Sequence, residues 1–192
     1  DNPDNETADC SGNTVIIDGC QCNSDVETSL EDHIFADFTC FAKGVSLEKS
    51  SGARHTRRMA VIKKLFLMSD FLESETIHDY EWLMRFNGKP VIDAAGRTAE
   101  RAELVYKGFT AENEYHTENV FHADWQAENK MLGFYIWNGA PAEIITGTIP
   151  ALSQGIPFLI SRQKGKQAQF VSLFAPCDDE NSIQVSMDGS CI

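Results

Sequence analysis

The stretch "YHTENVFHADW", residues 115–125, holds the densest set of side chains able to do chemistry. Read as one strand, its period of two places His116, His122 and Asp124 on a single face. Two imidazoles beside a carboxylate can hold a divalent cation or pass a proton. A polar outer strand face gives the same pattern, so metal binding and a solvated surface are both open readings. Carboxylates are abundant, yet no acid/base pair is readable, because such pairs are defined by separation in space. No Gly-rich phosphate loop, no G-x-S-x-G and no H-E-x-x-H occurs in the chain. Trp82, Trp125, Trp137 and Tyr135 can stack on sugar rings or pack a core. Trp82 and Trp125, with Arg54 and Arg57 from "RHTRRMAVIKK", are the candidate glycan contacts.

The six cysteines are Cys10, Cys20, Cys22, Cys40, Cys177 and Cys191. Zinc modules reuse close pairs such as C-x-x-C, and the one close pair here is Cys20-Gln21-Cys22. Two strand residues two apart share a face with Cα atoms ~6.5–7 Å apart, a poor geometry for a mutual bond. Each is therefore expected to bond a different partner, and all six are disulfide candidates. Six cysteines allow about fifteen connectivities, and sequence does not choose among them. The sequon Asn5-Glu6-Thr7 makes Asn5 a glycosylation candidate and fits the same oxidising compartment. The chain starts at Asp1 without a charged-then-apolar leader, which reads as a processed chain or an excised fragment with any export signal already removed. The expected location is extracellular or at the cell surface.

With 192 residues the chain can bury a sizeable core, and with 42% hydrophobic and 23% charged residues it reads as globular. The net charge of −13 disfavours nucleic acid and anionic membranes as partners. No apolar run approaches the ~20 residues of a helical membrane span. A polyanionic glycan would need a local basic site or a bridging cation. No cofactor is expected beyond a structural divalent cation.

The elements that must position these residues are strands. "DYEWLMRF" alternates Tyr80, Trp82, Met84 and Phe86 against Glu81, Leu83 and Arg85, and "KMLGFYIW" is apolar on both sides. Further strands are expected at His33–Ala42, Met59–Lys63, Leu65–Phe71, Arg101–Lys107, Tyr115–Trp125, Glu143–Ile149 and Ser182–Met187. A hairpin is expected over 157–176, turning at Lys164-Gly165-Lys166. Asp18-Gly19, Asn87-Gly88, Asn138-Gly139 and Asp188-Gly189 punctuate the chain. The fold class is all-β, a large antiparallel sandwich (supersandwich-like) of about a dozen strands. Residues 1–12 form a polar arm, and 13–192 a single domain.

Taken in order, "NTVIIDG", the segment from Arg54 to Gly88 and "GIPFLISRQKGKQAQFVSLFAP" resemble the β-sandwich portion of the heparinase II/III-like and oligo-alginate lyases. The resemblance rests on an arginine-led hairpin, Asp70-x-x-x-Ser74 and His78-x-x-x-Trp82. Two later patterns join them, Pro157-x-Leu159-x-x-Arg162 and Phe170-Val171 with Pro176. It runs from residue 13 to about 187. It implies a scaffold whose catalytic groups come mostly from an α-helical toroid, which this chain does not contain. Where the family has a histidine before NTV, this chain has Ser11-Gly12. Where the Trp82 strand usually ends in a histidine, it has Arg85. No catalytic residue is carried over.

The leading expectation is thus a secreted, non-catalytic module, structural or self-assembling. A homo-oligomer or filament would form through the N-terminal arm or edge strands, the cysteines tying the arm within or between subunits. A polysaccharide is the other partner considered. The alternatives are the β-domain of a uronate lyase whose toroid is a separate or cleaved chain, and a carbohydrate-binding module.

Overall fold

Asp18 and Gly19 adopt φ values of 51° and 73°. Both lie in the left-handed region that a two-residue type I′ turn requires, which is why Asp-Gly stands there. The turn joins β1 (Thr14–Ile17) to β2 (Cys20–Gln21), and β1 pairs antiparallel with residues 80–83 of a much longer strand. The computed structural model describes residues 13–21, 26–92, 97–98, 106, 108–118, 120–127, 130–149 and 155–177. No helix occurs among the described residues, hence none long and apolar enough to cross a membrane.

A meander follows: β3 (Val26–Ala36), β4 (Thr39–Glu48), β5 (Arg54–Ile62) and β6 (Leu65–Arg85). The later strands are β7 (Lys89–Val91), β8 (Arg97–Thr98), β9 (Thr110–Thr117), β10 (Val120–Ala127), β11 (Lys130–Trp137), β12 (Ala142–Ile149) and β13 (Ile156–Cys177). All pairings are antiparallel, including those of β1 and β2 with their neighbours. The antiparallel sandwich expected from the sequence is the fold observed.

Two strands build the architecture. β13 pairs with β6 along nearly its whole length, Phe158–Gly165 against Arg85–His78 and then Gln167–Phe174 against Glu73–Phe66. Between those runs β6 carries Ser74 to Ile77 where β13 carries only Lys166. Extra residues on one strand bend it. At this corner both strands leave one layer and enter the other. The first layer runs β3-β4-β5-β6-β13-β11-β10-β7; the second continues through β1 and β2 on one side and β12, β9 and β8 on the other.

Between the layers lies an aromatic core. Trp82 stacks on Phe134 at 5.8 Å, and Phe86 lies flat on Trp125 at 3.8 Å. A second cluster, Ile16, Leu83, Ile145, Phe158 and Ile160, occupies the opposite face of the second layer and is roofed by Tyr106 and Phe109. Phe158 to Ser161 are therefore buried on both faces.

The corner is held by polar side chains. Gln163 accepts the backbone N–H of Gln169 at 3.1 Å and donates to the carbonyl of Asn138, serving groups that the bent ladder leaves unpaired. On β6, buried His78 meets Asp18 at 2.6 Å and Thr76 at 2.8 Å, and Asp18 accepts the Asp79 N–H at 2.9 Å. Burial opposes ionisation of Asp18, but these two hydrogen bonds outweigh it and hold its carboxyl below the usual value.

Several expected elements are corrected. The hairpin at Lys164-Gly165-Lys166 is instead one continuous strand, because β6 offers an equally long partner and Gly165 sits at the bulge. His33–Ala42 is not one strand: it divides at Asp37-Phe38 into β3 and β4. Tyr115–Trp125 divides between Thr117 and Val120 into β9 and β10, which pair with different strands. Most of Arg101–Lys107, all of Ser182–Met187 and the 1–12 arm lie outside the described residues.

Candidate functional site

Register, not sequence spacing, assembles the most polar region. On β12, Glu143 stands opposite His116 of β9 and Arg162 of β13, and Arg162 stands opposite Glu81 of β6. Four adjacent strands thereby align His116, Glu143, Arg162 and Glu81 across the outer face of the second layer. Arg162 Nε donates to Glu81 Oε1 at 2.7 Å and Nη1 lies 3.5 Å from Glu143 Oε2. The Tyr106 hydroxyl donates to the other oxygen of Glu81. Burial pushes the Glu81 carboxyl above its usual value, with Arg162 opposing.

Glu114 lies two residues before His116 on the same face, 3.2 Å from its Nε2. One ligand atom each from Glu114, His116 and Glu143 falls within 4.8 Å of the others. The group borders a cleft of about 440 Å³ whose walls include Asp79, Thr117, Arg162 and Lys164. Lys164 is paired with Asp79 at 3.1 Å.

The expected trio of His116, His122 and Asp124 is not one site. His116 stands on β9, whereas His122 and Asp124 stand on β10, because the chain turns between them. His122 contacts Asp124 at 3.1 Å and stacks on Tyr135 at 4.4 Å. The true neighbours of His116, Glu114 and Glu143, were missed. Glu114 was readable as an i, i+2 neighbour; Glu143 required the β9–β12 register.

The expected glycan contacts are also placed otherwise. Trp82 and Trp125 are 0% and 2% exposed and offer no ring face to a sugar. Arg57 is held by Asp70, Nε to Oδ1 at 2.6 Å, and Arg54 lies 3.7 Å from Glu31. Asp70 is fully buried and also binds His55 at 2.7 Å and the Trp82 indole N–H at 2.9 Å, so it fastens β5 and the two halves of β6 together. Burial disfavours its charge, but His55 and the Arg57 guanidinium overcome this and hold its carboxyl below 3.8.

A second feature is the β3–β4–β5 extension of the first layer. Glu27 to Ala36 of β3 are exposed throughout, and β3 is the terminal strand of its layer among the described residues. Leu30, Ile34, Phe35 and Phe38 are 65%, 55%, 75% and 76% exposed. Cys40 on β4 has Phe35 and Val61 as its cross-strand neighbours, and among the described residues it forms no disulfide. The other five cysteine side chains, and Asn5, lie outside the described residues.

No protein-family model matches the chain, and no curated protein does. Among solved structures it is similar to the heparan sulfate lyase HepC from Pedobacter heparinus, with a TM-score of 0.58 at 12% identity over 88% of this chain. It is also similar to a heparinase III with methylated lysines, with a TM-score of 0.62 at 9% identity over 86%. The chain spans about a quarter of those proteins, 24% and 23% of their lengths. At such identities the likeness is one of fold: this chain has the architecture of the β portion of heparan sulfate lyases.

Proposed function

We propose that this chain is a non-catalytic module on a polysaccharide-lyase-like β scaffold, working by docking and self-association outside the cell. The observation that carries the reading is the β3–β5 extension, where large apolar side chains stand exposed along an edge strand. Among the described residues no strand lies beyond β3; an edge of this length invites another chain, and exposed apolar area of this kind marks interaction surfaces. The charges of the cleft support the non-catalytic part. β-Elimination on a uronate needs a cation to neutralise the carboxylate and a free base. Here Arg162 is paired with Glu81 and Glu143, Lys164 with Asp79, and the Tyr106 hydroxyl is bonded to Glu81. The even cysteine count and the Asn5 sequon support an extracellular setting.

Light scattering across a concentration series tests the reading, with Phe35→Asp and Ile34→Asp as variants. The wild-type chain should associate, and each variant should weaken association at least tenfold without lowering the melting temperature. A wild-type monomer at every concentration refutes self-association. The fold shared with heparan sulfate lyases favours the second reading, the β-domain of a uronate lyase completed by a separate chain. Release of unsaturated uronate from heparan sulfate or alginate by this chain, alone or with a co-purifying helical chain, would establish it.

A further inference from the structure

We propose that Glu114, His116 and Glu143 bind a divalent transition-metal ion of the zinc class at the rim of the cleft. Three features carry the assignment. The three residues stand on two paired strands, so a ladder and not flexible loops fixes their backbone positions, and their ligand atoms lie within 4.8 Å of one another. Two carboxylates are drawn together there in a chain of net charge −13, an arrangement that a cation relieves. The donor set itself, one imidazole with two carboxylates, suits zinc or manganese better than calcium, which takes oxygen alone.

The surroundings extend the case. Tyr106 donates to Glu81, Glu81 holds Arg162, and Arg162 lies against one oxygen of Glu143. That chain orients one ligand as outer-shell partners do in metal sites. Three protein ligands would leave a coordination position for water. The pair His122 and Asp124, 3.1 Å apart on β10, lacks a third ligand among the described residues and serves as the internal control.

The test is calorimetric titration of the full chain, stripped with chelator, with zinc chloride. One equivalent should bind. Glu114→Gln, His116→Gln and Glu143→Gln should each weaken binding at least tenfold, while His122→Gln and Cys40→Ser leave it unchanged. His116 is 55% exposed, so the melting temperature of metal-free His116→Gln should match wild type, separating ligand loss from misfolding. Cobalt(II) should give weak d–d bands without thiolate charge transfer. Binding that survives His116→Gln, or that falls equally in His122→Gln, would identify an adventitious ion only on an acidic surface. Loss on Cys40→Ser would assign the metal to thiol, and either result overturns the proposal.

Discussion

Removing the Asp70 carboxylate should expose how much of this fold depends on one buried charge. Asp70→Ala strips His55 and Arg57 of their shared acceptor and leaves the Trp82 indole N–H without one. The Arg57 side chain is 25% exposed and can recover water in part. Trp82 is 0% exposed and cannot, which costs ~1–3 kcal/mol by itself. Breaking a buried charge pair from one side costs ~3–5 kcal/mol in all, so about 4 kcal/mol is expected for Asp70→Ala. Asp70→Asn keeps one acceptor oxygen and the shape but not the charge, and about 2 kcal/mol is expected. Trp82→Phe removes the N–H and part of a buried ring stacked on Phe134 but leaves Asp70 its two cationic partners, at about 2–3 kcal/mol. Urea unfolding followed by tryptophan fluorescence and circular dichroism reads all three. An Asp70→Ala loss under ~1 kcal/mol at unchanged m would refute the reasoning, since a satisfied buried carboxylate cannot be that dispensable. The acid limb gives a second reading. Because the Asp70 carboxyl is held below 3.8, its contribution is full above the unfolded value and is lost as pH falls through the lower folded one. Asp70→Asn should flatten stability against pH below about 4.

Three further outcomes are expected. Gly147→Ala would place a Cβ 1.9 Å from the Thr110 carbonyl oxygen and 2.9 Å from Phe158, so β9 must move off β12; a loss on the order of 3 kcal/mol is expected in the same unfolding assay. Phe86→Ala removes the ring stacked on Trp125 at 3.8 Å and should cost ~3–5 kcal/mol, with a changed near-ultraviolet circular dichroism signal. Glu81 behaves oppositely to Asp70. Its raised carboxyl favours the protonated form in the folded state, so stability falls as pH rises from the ordinary 4.5 through the folded value, and Glu81→Gln should remove that fall in a pH series of melting curves.

Much of this was legible along the chain. Alternation in "DYEWLMRF" put Trp82 and Phe86 on one face of a strand, and Asp18-Gly19 announced a turn, because side-chain period and turn chemistry are local properties. The ordered patterns Asp70-x-x-x-Ser74, His78-x-x-x-Trp82 and Pro157-x-Leu159-x-x-Arg162 pointed to the right scaffold. Their polar residues prove to be structural fasteners: Asp70 to Trp82, His78 to Asp18 at the corner, Arg162 to Glu81. Local pattern failed where continuity depended on a distant partner. Lys164-Gly165-Lys166 looks like a turn, and only the equal length of β6 beside it makes it a bend within one strand.

The sequence alone therefore determined that the chain is all-β and which residues alternate on each face of its strands, because side-chain period is a local property. Only the tertiary structure decided which polar groups meet. His116 sits two residues from Glu114 but is set beside Glu143 by the pairing of β9 with β12, and His122 is carried away on β10 by a turn. Strand register is a long-range property, fixed by which apolar faces can be buried together, and a polar row built across four strands is invisible until that burial is known.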